Sequence, residues 1–494
     1  MGKTRVLIIG AGITGLSIAR VLSMYENLDV VVVEKEPDVG WGATKANTAI
    51  IHPCHEEDPD KHPLRAKLCL EGHDLWYKWT KELDIPVKWP GELIVATNDE
   101  EASALKHYLS LGMRNGVAGV RIVDKEELAA LEPNVNPNAI AGLWAPTAGQ
   151  MSPWEAAVAL AENSVSNGAR ILFETEVKRV VVREKKVVGV ETNNGFIEAD
   201  MVINAAGIHA DEISRSAGID EFTIFPRRGE YVIYDEDVDI KVKRIVHTAP
   251  TPKTKGVYVT TTLEGNLLIG PTAEDLPIDA KEEKSTTRNG IKYILEAAKK
   301  ILKTIPPRTK IIRMFAGLRP EPSTGSFIIK FYEEPWGFIN VAGIRSPGLT
   351  AAPAIAYYVR DMIAERTSLV EKRKWNPIRR GIKRISRMNQ DEKARIVKEN
   401  PRYGRIICLC KEVSEAEIIE AIKRMKAIGV KTITLDGIKF RTHAMFGRCQ
   451  GSFCRLRIAL LISREQDIPL WKVSFKGSGS EYGVGEVKEV FKEV

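Results

Sequence analysis

The sequence predicts an α/β Rossmann-like fold interleaved with a β-rich α+β domain and followed by a small α-rich domain built on four cysteines. Three observations carry that reading. A glycine-rich turn joins an apolar strand to a helix at the start; strand-rich and nucleotide-domain segments then alternate; and Cys408-Leu409-Cys410 is answered later by Cys449 and Cys454. A chain of 494 residues exceeds one ordinary core, so two or three domains are expected. With 44% apolar and 28% charged residues it folds, which excludes a mostly disordered chain. No apolar stretch approaches the roughly 20 residues of a bilayer span. The run Val6–Gly15 lacks a basic leader, so a cytoplasmic protein is expected.

The first βαβ unit is set by local pattern. Val6-Leu7-Ile8-Ile9 is a buried-strand run, Leu16–Met24 is helical, and Val30–Val33 is a second strand ending at Glu34. Between them stands Gly10-Ala11-Gly12-Ile13-Thr14-Gly15. Gly10 permits the tight turn, Gly12 lets backbone approach a pyrophosphate, and Gly15 lets helix pack on strand. The helix start, with Ile13 and Thr14, offers N–H groups and a partial positive charge. Glu34 is placed to accept from ribose hydroxyls and would repel a 2′-phosphate, which favours FAD or NAD over NADP.

The next loop favours FAD. After Lys35, the segment Gly40-Trp41-Gly42-Ala43-Thr44-Lys45-Ala46-Asn47, continuing to Thr48, is small and polar enough to wrap a pyrophosphate and meet an isoalloxazine ring. Val202-Ile203-Asn204-Ala205-Ala206-Gly207 reads as a strand and turn closing on the adenine half. Gly343-Ile344-Arg345-Ser346-Pro347-Gly348-Leu349-Thr350 leads into a helix, Ala352–Ile363, whose N-terminus would favour the negative charge of a reduced flavin. An ordinary βα turn is the alternative for each late motif taken singly.

Between these segments, a Trp- and Leu-rich helix is expected at about 64–83, a helix at Pro153–Asn167, and strands at Ile171–Glu174, Val177–Arg183 and Val187–Thr192. The expected division is a nucleotide domain of 1–84, 146–214 and 311–365, a strand-rich substrate domain of 85–145 and 215–310, a basic linker 366–404, a four-cysteine domain 405–465 and a tail 466–494 ending in a short amphipathic segment. The linker holds 13 Lys/Arg against 4 Asp/Glu, a net +9, so the net +7 of the chain leaves the rest near −2. A solvated face is the plain reading of that stretch, and docking to an acidic subunit or anionic lipid the other. No nucleic-acid motif accompanies the charge, and no nucleic-acid partner is expected.

Four thiolates, Cys408, Cys410, Cys449 and Cys454, can hold Zn²⁺ or an Fe–S cluster. Ser414 and Glu417 form a capping box for a helix with Ile418, Ile422, Met425 and Ile428 on one face, closed by Gly429. Cys454 precedes a helix at Arg455–Ser463. A flavin needs an electron outlet, which favours [2Fe–2S] over zinc. Cys54 and Cys69 read as separate core or helix-face thiols.

As a set, the nucleotide motifs resemble the FAD-dependent D-amino-acid oxidase and glycerol-3-phosphate dehydrogenase superfamily over about 4–365. Residues 405–465 resemble the bacterioferritin-associated-ferredoxin-like domain, whose cysteines ligate [2Fe–2S]. With Leu131-Glu132-Pro133-Asn134-Val135-Asn136-Pro137 and Cys449-Gln450-Gly451, the whole order resembles the large-subunit family of anaerobic glycerol-3-phosphate dehydrogenases. The resemblance implies an FAD domain interleaved with the substrate domain, with Val177 and Gly317 among the cofactor contacts. It also implies oxidation of a small anionic substrate to dihydroxyacetone phosphate, and electrons passed to further subunits, some of them membrane-associated, in a hetero-oligomer.

His52 comes after the second FAD loop, where family members place a histidine near the flavin, and could serve as base. A plain core or surface histidine is the alternative. Arg319, in Gly317-Leu318-Arg319-Pro320, matches the segment whose arginine contacts substrate, and its guanidinium suits phosphate or carboxylate equally. Lys45 stands where the family has Arg, and the Arg345 loop, with Arg227 and Arg228, looks more like the L-2-hydroxyglutarate oxidase branch. Arg345 is therefore a second anion-binding candidate, and oxidation of a 2-hydroxy acid or amino acid is the rival activity. A non-catalytic electron-transfer subunit is the rival of another class.

Overall fold

The computed structural model describes residues 3–250 and 255–485; the amphipathic end expected at the last residues lies outside them. The first strand, Thr4–Ile9, runs parallel to Leu28–Val33 on one side and Met201–Asn204 on the other, and Arg170–Leu172 and Trp336–Ala342 extend the sheet in parallel. Its apolar residues are buried on both faces, as a covered parallel sheet requires. Val6, Ile8, Val30 and Val32 enter one core with the helices Ile13–Leu22, Pro153–Ser166 and Gly348–Ala364, while Leu7, Ile9, Val31 and Val33 enter another with Ile213. The antiparallel strands Val177–Arg183, Lys186–Thr192 and Gly195–Glu198 are joined to this sheet.

A second nine-stranded sheet is woven from other segments. Its spine is Ile224–Tyr234 paired antiparallel with Ile311–Pro322, a register that puts Arg227 opposite Arg319 and Gly229 opposite Gly317. Glu92–Ala96 lies between Ala141–Ala145 and the parallel strand Ile245–Thr248. The strand-rich reading of 85–145 omitted two helices, Asp99–Arg114 and Lys125–Leu131. Each starts at an Asn98 or Asp124 side chain that accepts from a backbone N–H three residues on, at 2.9 Å.

One expectation is extended and one corrected. The basic stretch has the solvated face expected of it, with Arg373, Lys374, Arg380, Lys383 and Arg387 exposed, and it is also a strap. The carbonyl of Asn376 accepts from Asn163 and Asn167, Arg379 pairs with Glu162 at 2.6 Å, and Arg384 pairs with Glu155 at 2.7 Å. Its positive charge is spent partly on acidic partners distant in sequence, which net charge cannot reveal. Cys54 and Cys69 are a disulfide, not separate thiols. The loop carrying Cys54 folds back onto the helix Pro63–Glu82, which brings the two Cα atoms to 6.0 Å, within bridging range.

The last domain is a short hairpin, Ile406–Cys408 with Val413–Ser414, and the helices Glu415–Ala427, Leu435–Thr442 and Arg455–Gln466. The Ser414–Glu417 capping box is present, and Gly429 takes φ +94° just past the helix end. Ile418, Ile422 and Met425 are buried in a core continuous with that of the nucleotide domain. Arg441 and Asp38 form a fully buried ion pair across the junction. Among the described residues no helix is long and apolar enough to cross a membrane.

Candidate functional site

A cavity of about 500 Å³ opens between the two large sheets. At one end the glycine turn lies against the Ala205-Ala206-Gly207 turn. Gly10 adopts φ +105°, and a Cβ there would stand 2.6 Å from the Ala205 carbonyl; one on Gly15 would overlap the Gly10 carbonyl. Gly12 meets nothing closer than Thr44 Oγ1 at 3.5 Å, which leaves room for phosphate oxygens beside the helix start. Thr44 Oγ1 accepts from the Ile13 N–H at 3.0 Å, so the two expected loops form one cradle.

Glu34 anchors that cradle. One carboxylate oxygen accepts from the Ala11 N–H at 2.7 Å and the other from the Glu36 N–H at 3.0 Å. Burial pushes its pKa up to about 7, against the downward pull of those bonds. Lys35 reaches Glu282 at 2.8 Å on the rim. Lys45 lies 4.0 Å over the Trp41 ring, and burial lowers it to about 8. Asn47 donates to the carbonyls of Ala43 and Thr44, fixing the loop, and Thr48 lies 3.3 Å from the Tyr231 hydroxyl.

Gly10, Gly12, Ile13, Thr14, Glu34, Lys35, Thr44, Lys45, Asn47, Thr48, Val177, Ala206 and Gly207 all line this cavity, as do Gly317, Arg319, Arg345, Gly348 and Leu349. Three other expected cofactor contacts act from behind its wall. Gly15 packs the first helix on its strand; Gly343, at φ +64°, turns against Pro322; and the buried Thr350 accepts from the His52 N–H at 2.9 Å.

The other end holds the expected chemistry. His52 lines the cavity with Nε2 3.2 Å from Ser346 Oγ, and Nδ1 has no hydrogen-bond partner among the described residues. Burial, with the positive charge of Lys255, lowers its pKa to about 4, so the ring is neutral at pH 7. Two N–H groups of Arg319 hold the Thr272 carbonyl, both at 3.1 Å, and the rest of the guanidinium is left for the cavity. Arg345 stands 3.0 Å from Glu321, and burial lowers its pKa. Arg228 is tied to Glu274 and the Ser285 carbonyl, whereas Arg227 lines the cavity between Asp275 and Glu321.

Tyr231, Lys255, Tyr258 and Trp41 line the same space and were not named as site residues from sequence. Lys255 and Tyr258 carried no local signal, whereas Tyr231 closes the segment that holds Arg227 and Arg228, and the second loop contains Trp41. Its ring also meets Phe440 of the last domain edge-on at 5.7 Å, so the cavity wall and the cysteine domain share a residue.

The four cysteines converge. Cys408 and Cys454 are buried, Cys410 and Cys449 half-buried, and the Cys408 and Cys410 sulfurs are 3.8 Å apart. Burial and the neighbouring thiols push Cys410 up to about 12, while a hydrogen bond from Cys408 lowers Cys454. Four thiols gathered in this way fit a shared cationic centre. Cys454 sits at the N-terminus of Arg455–Gln466, and Gly447 leaves room beside the Cys410 side chain.

Comparison with known proteins matches residues 5–362 to the family of FAD dependent oxidoreductases and residues 406–464 to the BFD-like [2Fe-2S] binding domain. A glycerol 3-phosphate dehydrogenase of Caloramator mitchellensis is 41% identical over 486 residues, 98% of each chain. A glycerol 3-phosphate oxidase of Mycoplasma genitalium is 32% identical over 75% of this chain and 97% of its own. The structure of the FAD-bound L-alpha-glycerophosphate oxidase of Mycoplasma pneumoniae superposes with a TM-score of 0.71 at 32% identity, over 76% of this chain and 98% of that one.

Proposed function

We propose that this chain, which belongs to the FAD-dependent oxidoreductase family, oxidises sn-glycerol 3-phosphate to dihydroxyacetone phosphate and passes the electrons through its [2Fe–2S] domain to a partner. The observation that carries this reading is one cavity whose lining brings His52 together with Arg319 and Arg345.

Bound FAD supplies the acceptor for the hydride of the carbinol carbon. The residues from Gly10 to Thr14, with Glu34 and the loop 44–48, would hold its nucleotide half, and Leu349 with the 343–348 turn its ring end. His52 has a lone pair to take the hydroxyl proton, so that the oxygen is left as a ketone when hydride departs. Ser346 and Thr350 hold the ring and backbone of His52 in place. Arg319 and Arg345 bind the phosphate dianion and fix which face of the substrate is presented. Cys408, Cys410, Cys449 and Cys454 would hold the cluster, whose chemistry is one-electron transfer.

A protein acceptor, soluble or membrane-associated, would make the working form a hetero-oligomer. The test is anaerobic mixing of FAD- and cluster-loaded protein with glycerol 3-phosphate, followed in the visible flavin band. Bleaching by this compound alone supports the reading. Bleaching by L-2-hydroxyglutarate or an amino acid instead would transfer the site to the carboxylate substrates that the two arginines also suit. No bleaching by any of them would leave a relay subunit.

A further inference from the structure

Behind the His52 end of the cavity lies a group of polar side chains that the proposed reaction does not use. His55 and Glu56 are on the loop that carries His52, Glu92 begins the strand Glu92–Ala96, and His247 lies on the adjacent parallel strand. His55 is 1% exposed, Glu92 and His247 are 0% exposed, and the Glu56 side chain is 6% exposed. Both His55 nitrogens, both Glu92 oxygens, His247 Nε2 and Glu56 Oε1 are without hydrogen-bond partners among the described residues. Unpaired groups buried to this degree each cost about 1–3 kcal/mol, more when charged.

These atoms face one another. Glu92 Oε1 is 3.4 Å from His247 Nε2 and 3.7 Å from His55 Nε2, and ligand atoms of His55, Glu56 and His247 lie within 4.8 Å of each other. A direct charge-assisted hydrogen bond would close to about 2.7–2.9 Å. Two ligands at about 2.0–2.1 Å from one tetrahedral ion stand roughly 3.3–3.4 Å apart. His247 Nδ1 faces the carbonyls of Thr248 and Lys255 at 3.0 and 3.1 Å. That assigns its proton to Nδ1 and leaves the Nε2 lone pair directed at the group, the arrangement that orients metal-binding imidazoles.

We propose that His55, Glu56 and His247, with Glu92 beside both imidazoles, form a site for a divalent first-row transition metal, with Zn²⁺ the ion that suits this N/O donor set. The set contains no thiolate and is distinct from the cysteine centre. Among the described residues Lys255 pairs with Glu56 and Glu57, and Arg65 with Glu57, while Glu92 has only the two imidazoles beside it, so the group attracts a further cation. A proton on His247 would balance the excess carboxylate. It would leave both His55 nitrogens and Glu56 Oε1 without partners among the described residues, whereas a metal held by His55, Glu56 and His247 engages both rings and that carboxylate. None of these residues lines the cavity, so the ion is structural. It ties the His52 loop to two strands of the substrate sheet, and His247 stacks at 4.3 Å on Tyr258, whose ring meets His52 edge-on at 6.3 Å. Metal binding stands whether or not the proposed reaction is correct; only its effect on turnover through His52 rests on that reading.

The test uses the full chain carrying FAD and cluster, so that the cysteines are occupied. It is incubated with zinc chloride, freed of excess metal, and examined by elemental analysis and zinc X-ray absorption. One zinc per chain is expected, with an N/O shell at about 2.0 Å and no sulfur. His247→Gln and Glu92→Gln should each weaken zinc at least about tenfold. Should a variant fail to fold, the wild-type spectrum and the rise in its melting temperature with zinc decide alone. No bound zinc, sulfur in the shell, or unchanged affinity in both folded variants would overturn the site.

Discussion

Replacing His52 by glutamine tests the proposed chemistry most directly. The substitution keeps the size of the side chain and a donor for Ser346 but removes the lone pair that accepts the substrate proton. With the His52 pKa at about 4, only about one ring in a thousand is protonated at pH 7. Wild-type enzyme is therefore fully in its proton-accepting form, and the whole contribution of the base is lost in the variant. General-base catalysis is worth about 10²–10⁴-fold. The low pKa makes His52 a weak base, so the lower half of that range is expected, about 10²–10³-fold or roughly 3–4 kcal/mol in the barrier. The assay is the anaerobic rate of flavin bleaching by glycerol 3-phosphate as a function of pH. The sign is set by the neutral form being active: in wild type the rate falls tenfold per pH unit as pH drops below about 4. In H52Q that limb should vanish while FAD content is unchanged. A variant within about threefold of wild type, or one that keeps the acid limb, would refute His52 as the base. The same shift bears on stability. The unfolded chain protonates this histidine near pH 6.5 and the native one only near 4, so its contribution to stability declines as pH falls across that window.

Arg319→Lys keeps the charge but not the fork on the Thr272 carbonyl, and should raise KM for glycerol 3-phosphate by about tenfold or more, measured by steady-state kinetics with a dye acceptor. Cys410→Ser should lose the cluster absorbance and electron transfer to a protein acceptor, yet still bleach its flavin with substrate in a single turnover. Arg441→Met strands the buried Asp38 carboxylate and should cost about 3–5 kcal/mol in urea unfolding, with FAD released early because Asp38 borders the Trp41 loop. The double variant with Asp38→Leu should recover most of that loss; a double-variant loss equal to the sum of the two single losses would show that the pair is not coupled.

How much of this was legible beforehand depends on how far the physics reaches along the chain. The glycine turn of the first βαβ unit and the capping box at Ser414 arise from residues a few positions apart, and Glu34 and the four cysteines lie within one βαβ unit and one small domain. Steric, helix-terminal and metal-ligand rules act at that range, so sequence by itself determined them. The interleaving of two sheets was visible as alternating segment character. The remainder was decided by contacts between distant segments. The Cys54–Cys69 disulfide depends on how one loop lands on one helix. The neutrality of His52 depends on surrounding residues from Lys255 to Glu92, and the capture of the basic strap depends on Glu155 and Glu162. His55, Glu56, Glu92 and His247 carry no motif, because their convergence is set by strand pairing across more than half the nucleotide-and-substrate unit. Burial and long-range charge set ionisation, and neither exists until the chain is folded.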